Sequence, residues 1–376
     1  MLPEEVADWY KRHGYQFVGL SDHNIVPVQE RWVDASKVFL REPHHIRGGS
    51  AMLRLVFRTR DGFEEVRLKT FKELQREFGE AGRFLILSNE EVTSEGAGRP
   101  VHVTAVNLHD NVPSVNATTA AVAIDAMLNR IEGVGRIWGY PTLGVINHPN
   151  FAWSVGANDL AAVQKAHFVE VFNGHPFTAS RGDLDKRPVT RLWDMANAER
   201  ILERNWQPLF GVASDDAHVE SGAREASPGR GWIYVRARSL QPAELLAAMQ
   251  RGDFYASTGV RLKNVVYNRS EQVLSVTVDP EPGATYQTEF IVTKSSARAR
   301  DDKPNDRWDV PTVGVVVAKN STLESRYKLA SDDVFVRAVV TSSTRPQNPI
   351  ESDYTGDAVQ FKQAFTQPVG WENRLR

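Results

Sequence analysis

The sequence is distinguished first by what it lacks. None of its 376 residues is a cysteine, which excludes disulfide bonds and thiolate ligands, so any bound metal must be held by nitrogen and oxygen atoms. The formal net charge is only -2, so no basic field attracts polymeric nucleic acid or an anionic membrane. A small phosphorylated substrate remains compatible with this charge balance. The sequence does not indicate an oligomeric state.

Membrane signals and several catalytic motifs are also missing. No uninterrupted apolar stretch approaches the length of a membrane span, and the N-terminal residues show no signal-peptide pattern. The sequence contains no G-x-S-x-G nucleophile elbow, P-loop or Rossmann glycine motif, so we predict neither a serine nucleophile nor a nucleotide cofactor. As written, the chain fits a cytoplasmic location; an upstream signal peptide would make it periplasmic or secreted.

Residues 1–259 alternate short apolar runs with helix-like segments, and we interpret them as one domain. The predicted strands are 15–20, 51–58, 63–68, 83–87, 101–108, 143–146, 168–172, 209–213 and 232–235, and the predicted helices are 2–13, 71–78, 118–131, 191–203 and 242–251. Asp61-Gly62 is a hairpin signature between two of the strands. The strand–helix–strand rhythm predicts an α/β fold with a parallel sheet, closed or open.

Residues 260–376 have a different pattern, which we interpret as a second domain. Short alternating segments occur at 262–267, 273–278, 288–292, 313–317 and 334–340, separated by Gly, Pro, Asn and Asp. No amphipathic helix of normal length interrupts them. This region therefore predicts an antiparallel β-sandwich that carries no catalytic residue.

Acidic and imidazole side chains gather at the ends of the predicted strands of the first domain. They are Asp22, His23, Glu91, His102, His148, Asp216 and His218. Any one of these histidines alone is more typical of an ordinary core or capping residue. Four of them with several acids, at successive strand ends, favour a divalent metal site, because imidazole and carboxylate are ligands for zinc, manganese and iron.

Six motifs in order resemble one family. SDHN at 21–24, NEEVTS at 89–94, VHVTAVN at 101–107, NHPNF at 147–151, VEVFNGH at 169–175 and SDDAH at 214–218 resemble the PHP (polymerase and histidinol phosphatase) superfamily. FYASTG at 254–259 is similar to the close of the domain in bacterial members with a β-sandwich tail. The resemblance, over about residues 1–258, implies a distorted (β/α)7 TIM-like barrel with two or three divalent metals and phosphoesterase activity.

The resemblance also implies roles for individual residues. Glu91 would bridge two metals, of which Asp216 would bind the first, and His102 with His148 the second. His23 and His218 would pair on a third. Asp22 would orient an imidazole or the attacking water and is the candidate catalytic residue.

The same resemblance implies supporting or lining positions for neighbouring residues. Glu90 would be the solvent-side neighbour of the bridging glutamate. Asp215 would either support a ligand or be a plain structural carboxylate. Glu170 and Asn173 would line the site without binding metal, and His175 would lie on a loop beside the cleft.

The chain departs from the family pattern at its start. The family opens with a strand that ends in His-x-His and an SDG-like turn, and this sequence has neither. We expect that the sequence begins too late, rather than that the strand is genuinely lost, because the barrel would otherwise keep two unpaired strand edges. Without the His-x-His ligands, activity of the chain as written is expected to be low.

Three functions are compatible with these residues. The first is hydrolysis of a small phosphate ester by a metal-activated water. The second is a non-catalytic or weakly metallated binding protein that uses the barrel as a scaffold. An amidohydrolase-type reaction is a third, although nothing indicates the strand-end lysine that it would require.

Overall fold

The computed structural model of the protein describes residues 1–36, 55–219, 221–302, 306–351 and 359–375. Residues 51–54 of the predicted strand 51–58 therefore lie outside the described part. The helices are α1 (Pro3–Arg12), α2 (Phe71–Phe78), α3 (Ala120–Trp138), α4 (Ala157–Ala162), α5 (Val189–Leu202) and α6 (Pro242–Gln250). Among these residues, no helix combines the length and the apolarity that crossing a membrane would require.

The strands fall into a first group and a second group along the chain. The first group is β1 (Phe17–Leu20), β2 (Arg31–Asp34), β3 (Phe57–Arg60), β4 (Phe63–Leu68), β5 (Leu85–Gly96), β6 (Arg99–Val106), β7 (Asn116–Ala117), β8 (Leu143–Ile146), β9 (Phe168–Asn173) and β10 (Phe210–Ser214). The second is β11 (Trp232–Val235), β12 (Phe254–Ser257), β13 (Arg261–Asn268), β14 (Val273–Asp279), β15 (Tyr286–Lys294), β16 (Val315–Asn320), β17 (Glu324–Lys328), β18 (Asp333–Ser342) and β19 (Gln363–Thr366). The predicted hairpin around Asp61-Gly62 is confirmed as β3 and β4.

The first sheet is a curled half-barrel with helices packed against it. Its strand order is β1-β5-β6-β8-β9-β10, with β7 beside β5. Fully buried side chains of its strands and of α3 and α5, such as Val103, Ile124 and Trp193, belong to one hydrophobic cluster. The coarse prediction of a mixed α/β fold is therefore confirmed.

The expectation of a purely parallel sheet is wrong. β5 pairs in parallel with β1, but its second half pairs antiparallel with β6, and β6 pairs antiparallel with β8. Ala97 and Gly98 connect β5 to β6 with positive φ angles of 54° and 72°, the backbone of a two-residue hairpin turn. Such a turn reverses the chain at once, whereas a parallel connection needs a crossover of a dozen or more residues.

Two further antiparallel sheets are built mainly from the C-terminal part of the chain. One has the order β11-β12-β19-β18-β15-β16 and the other β13-β14-β17. Both contribute to a second hydrophobic cluster, to which Leu274 of β14 and Phe290 of β15 belong. The change in sequence pattern near residue 260 thus corresponds to a change from a mixed sheet to antiparallel sheets.

The prediction that strand 232–235 continues the first sheet is wrong. β11 pairs antiparallel with β12, which in turn pairs with β19 near the C-terminus. All four residues of β11 are only partly buried, unlike a central strand of an α/β sheet, which is covered on both faces. The sheet thus contains strands from both sides of residue 259, and the division into domains 1–259 and 260–376 stays a prediction.

A buried ion pair joins the two parts of the fold. The Arg337 guanidinium of β18 donates to both carboxylate oxygens of Asp194 in α5, at 2.7 and 2.6 Å. Their side chains are only 3% and 4% exposed. Arg337 also lies 4.9 Å from the ring centre of Trp193, which adds a cation–π contact.

Removing one partner of this pair should destabilise the protein strongly. Arg337→Met leaves the Asp194 charge buried and unpaired, and we expect a loss of about 3–5 kcal/mol in the free energy of unfolding. Urea denaturation measures this loss. Arg251→Met, which breaks the exposed Arg251–Asp253 pair, is the control and should cost about 0–1 kcal/mol. Equal effects of the two substitutions would contradict the structural role of the buried pair.

Candidate metal centre

The segment after β1 places His23 beside the middle of β5. The backbone of Glu91 donates to the Asp22 carbonyl at 3.1 Å, and Asn24 donates to the Glu91 carbonyl at 3.0 Å. His23 and Glu91 thereby form an isolated parallel bridge. Asn24 completes the junction with φ of 54° and accepts from the Thr93 amide through its side chain at 2.9 Å. Two backbone hydrogen bonds therefore fix the position of the imidazole relative to the carboxylate.

The carboxylate of Glu91 is the centre of the cluster. Its Oε1 lies 2.9 Å from Nδ1 of His102 and 3.2 Å from Nε2 of His148. Its Oε2 lies 3.5 Å from Nδ1 of His23, and the Asn147 amide donates to Oε1 at 2.9 Å. Potential ligand atoms of His23, Glu91 and His102 all lie within 4.8 Å of one another. This grouping of oxygen and imidazole nitrogen could hold a divalent cation.

Glu90 points away from this cluster. Because successive side chains of a strand face opposite sides, its carboxylate accepts instead from the Val112 amide at 2.8 Å and from Asn111 at 3.4 Å. Glu90 has no exposed surface. The prediction that it is a solvent-side neighbour is therefore wrong, and its role is to hold the segment after β6.

Burial and hydrogen bonding shift the pKa values of Glu91 and His148 in opposite directions. Burial raises the pKa of Glu91, but the hydrogen bonds from His102 and His148 outweigh burial and hold that pKa well below its usual range. Burial lowers the pKa of His148, but the hydrogen bond to Glu91 and nearby carboxylates raise it to about 9. In the metal-free protein at neutral pH, a proton on His148 therefore faces a negative Glu91.

Asp216 and His218 follow β10 and lie next to the Glu91 group. Asp216 has φ of 51°, and its Oδ2 accepts from the Asn173 amide at 3.2 Å. Nδ1 of His218 lies 2.8 Å from the Asp216 carbonyl oxygen. Since a carbonyl only accepts, Nδ1 carries the proton and Nε2 is left free to bind a metal. The His218 ring is centred 6.4 Å from that of His23, which brings the two predicted partners into one region.

Asp22, the candidate catalytic residue, lies at the edge of this region. The residue keeps solvent-accessible surface, but burial of its carboxyl raises the pKa of Asp22, an effect that the charges of the N-terminal amino group, His23 and His218 oppose. The Met1 amino group donates to the His218 carbonyl at 3.2 Å. Asp22 is therefore close to imidazoles but touches none of them through a hydrogen bond, and its catalytic role stays a prediction.

Asp215 has a structural role that the sequence left open. Its carboxylate accepts from Tyr10 Oη at 2.6 Å and from three successive amides, Gly229, Arg230 and Gly231, at 2.6–2.8 Å. A buried carboxylate with four donors fastens the returning loop to the end of β10. It thereby holds in place the backbone that carries the neighbouring Asp216.

The sequence analysis did not identify Arg230, which also holds this loop in place. The guanidinium is 2% exposed and donates to the carbonyls of Gly174, Gly222 and Glu225 at 2.6–2.9 Å. No motif or spacing in the sequence marks this residue, because its acceptors are backbone carbonyls, two in its own loop and one at the distant Gly174. The position of the loop depends on these contacts together with those of Asp215.

Glu170 and Asn173 of β9 support the site from beneath. Glu170 accepts from the backbone amide of His148 at 2.7 Å and from Asn173 at 2.9 Å. His175 lies further along the same segment, with its ring centred 5.3 Å from that of His218. The structure thus brings together the predicted ligands, and it places the predicted lining residues beside them.

Comparison with known proteins adds no identification. No family model matches the chain, and no curated protein matches it significantly. The residues and their geometry alone therefore support any functional conclusion.

Asp215→Asn should loosen the loop that carries Asp216 and His218. The amide retains one acceptor atom but loses the charge that binds three backbone amides, so we expect a stability loss of about 1.5–3 kcal/mol. Hydrogen exchange of residues 221–231 should accelerate, while that of β5 and β6 should not. Tyr10→Phe removes only one of the four hydrogen bonds and should have a smaller effect. An unchanged exchange rate in the loop would contradict this assignment.

The raised pKa of His148 predicts a pH dependence of the metal-free protein. Its protonated form contributes stability in full below the ordinary pKa of 6.5, and the contribution is lost as the pH rises through about 9. Chelator-treated protein should therefore lose thermal stability between these values. In His148→Asn this loss should be smaller, because the titrating group is gone. Parallel melting curves of the two proteins across this range would contradict the prediction.

Proposed function

We propose that this protein is a metal-dependent phosphoesterase of the PHP type, acting on a small phosphate ester. The observation that carries the proposal is the Glu91 carboxylate, which three imidazoles approach within 2.9–3.5 Å. The proposal includes the finer fold: a distorted (β/α)7 barrel that lacks its first strand, followed by a β-sandwich. The six ordered motifs support this interpretation, and the curled mixed sheet is compatible with it.

The donor set fits divalent zinc, manganese or iron. The candidate ligands offer only carboxylate oxygen and imidazole nitrogen, and His102 and His148 already lie 2.9 and 3.2 Å from Oε1 of Glu91. Asp216 and Glu91 would together bind another metal, and His23 and His218 would hold a third. When bound, such metals supply Lewis acidity and a water of lowered pKa.

The chain's own residues orient this site. The Asn147 amide fixes Oε1 of Glu91, and Glu170 fixes the backbone of His148. Asp22, beside two imidazoles, would orient a water molecule or accept its proton. These contacts keep the acceptor and donor groups preorganised before substrate binds.

His175 offers a further contact to the substrate. The Phe177 amide donates to its Nδ1 at 3.1 Å, so the neutral ring carries its proton on Nε2. Burial lowers the pKa of His175 and favours this neutral form. An imidazole N–H beside Asp216 and His218 is suited to donate to a phosphate oxygen.

Adjacent glutamates provide a matched test of the proposal. Glu91→Gln should lower the metal content measured by elemental analysis and remove hydrolysis of p-nitrophenyl phosphate and its diester, because it deletes the charge that the metals share. Glu90→Gln changes an equally buried glutamate on the opposite face and should leave both quantities close to those of the unmodified chain.

Two outcomes would decide against the proposal. Unchanged metal content in Glu91→Gln would overturn the ligand assignment. A chain that binds two or more metals but cleaves neither a phosphomonoester nor a phosphodiester would instead be a metal-containing binding protein.

A further inference from the structure

A cavity of about 670 Å³ lies away from the Glu91 cluster. Phe17 and Phe210, the first residues of β1 and β10, contribute to its lining. The candidate metal ligands His23, Asp216 and His218 instead follow the last residues of these two strands. Strands of four and five residues separate the two regions by about 13 Å or more. We call this cavity the β11–β13 cleft, because residues 233–235 of β11 and 262–267 of β13 form its facing walls.

Apolar and aromatic side chains provide just over half of the surface of the cleft. Tyr234 stacks on Tyr255 with ring centres 4.9 Å apart and an angle of 21°, and Trp371 is a further aromatic residue of the lining. Val266 of the lining is 41% exposed. The volume falls within the range of about 300–1,000 Å³ that is typical of small-molecule sites. The cleft is therefore suited to the apolar body of a small organic molecule.

The cleft is lined by more cationic than anionic side chains. The cleft is lined by the cations Arg236, Arg251, Lys263 and Arg269 and by the carboxylates Asp253 and Glu372. The carboxylates are each paired, Asp253 with Arg251 and Glu372 with Arg269, both at 2.8 Å. The two other cations, Arg236 and Lys263, have no carboxylate partner among the described residues.

Arg236 directly follows β11, and its side chain reaches across the cleft to β13. Its Nη2 donates to the side-chain oxygen of Asn264 at 3.0 Å and to the Val265 carbonyl at 3.1 Å. Both acceptors are neutral, so the guanidinium keeps its full charge and has further N–H donors. Such a group can bind a carboxylate, sulfonate or phosphate in a directed manner.

We propose that the β11–β13 cleft is a binding site for a small organic anion with an apolar, flat body. The anionic group binds Arg236, with Lys263 contributing to the local positive potential. The apolar body lies against Tyr234, Val266 and Trp371. This site is independent of the proposed phosphoesterase reaction, since it contains none of the candidate metal ligands.

Two dyes that share one ring system separate the charged and apolar contributions. Anilinonaphthalene sulfonate carries an anionic group, and phenyl-naphthylamine is its neutral counterpart. We expect saturable binding of the sulfonate to the full chain with one site, measured by fluorescence titration. Arg236→Gln should weaken it by up to about fivefold, the scale of an exposed ionic contact, and should leave the affinity for the neutral dye unchanged.

Arg238→Gln is the matched control, because Arg238 is an exposed arginine on the same segment but is not part of the cleft lining. It should not change either affinity. Val266→Trp should block the cleft and reduce binding of both dyes, with near-ultraviolet circular dichroism to check that the variant is folded. Non-saturable binding, or equal weakening by the Arg236 and Arg238 substitutions, would overturn the proposal, even if Val266→Trp fails to fold.

Discussion

The burial of the Glu91 carboxylate is the constraint on which the rest of the site depends. A carboxylate with 5% exposure loses most of its hydration and is tolerated only where positive or hydrogen-bonding groups replace the lost water. Here His102, His148 and Asn147 serve that purpose. His102 is supplied by β6, next to β5, and Asn147 and His148 follow β8, the next strand of the sheet. The position of a single acid therefore determines which strands must be neighbours.

The mixed direction of the sheet explains how one of these partners reaches the site. His102 lies near the start of β6 and Glu91 in the middle of β5, whereas the other candidate ligands follow strand ends. Because β6 runs antiparallel to β5 and β8, its beginning lies at the same edge as the end of β8. His102 is opposite Thr93, and therefore diagonal to Glu91 on the same face of the sheet. A parallel β6 would have carried this imidazole to the opposite edge.

The sequence predicted the local features of this arrangement better than the long-range ones. Apolar runs followed by Asp, Glu or His predicted most strands around the site, and the motif resemblance supplied the candidate ligands, since both signals are contained in a few consecutive residues. The direction of β6 depended on the Ala97-Gly98 turn, whose alanine is not a typical residue for positive φ. The pairing of Asp215 with the amides of 229–231 has no local signal, because backbone groups have no side-chain identity.

Several strained backbone positions lie where these long-range contacts meet. Asn24 and Asp216, at 54° and 51°, adopt positive φ angles beside the cluster, and Ala152, Trp153 and Ala179 do so in the loops around it. Asn and Asp tolerate this region comparatively well, but a bulky residue such as Trp153 does so only at some cost. Compensating hydrogen bonds are present, such as that from Arg99 to the Trp153 carbonyl at 2.9 Å. The stability of the packed sheets and helices thus maintains, at this edge, a conformation that the local sequence alone would not adopt.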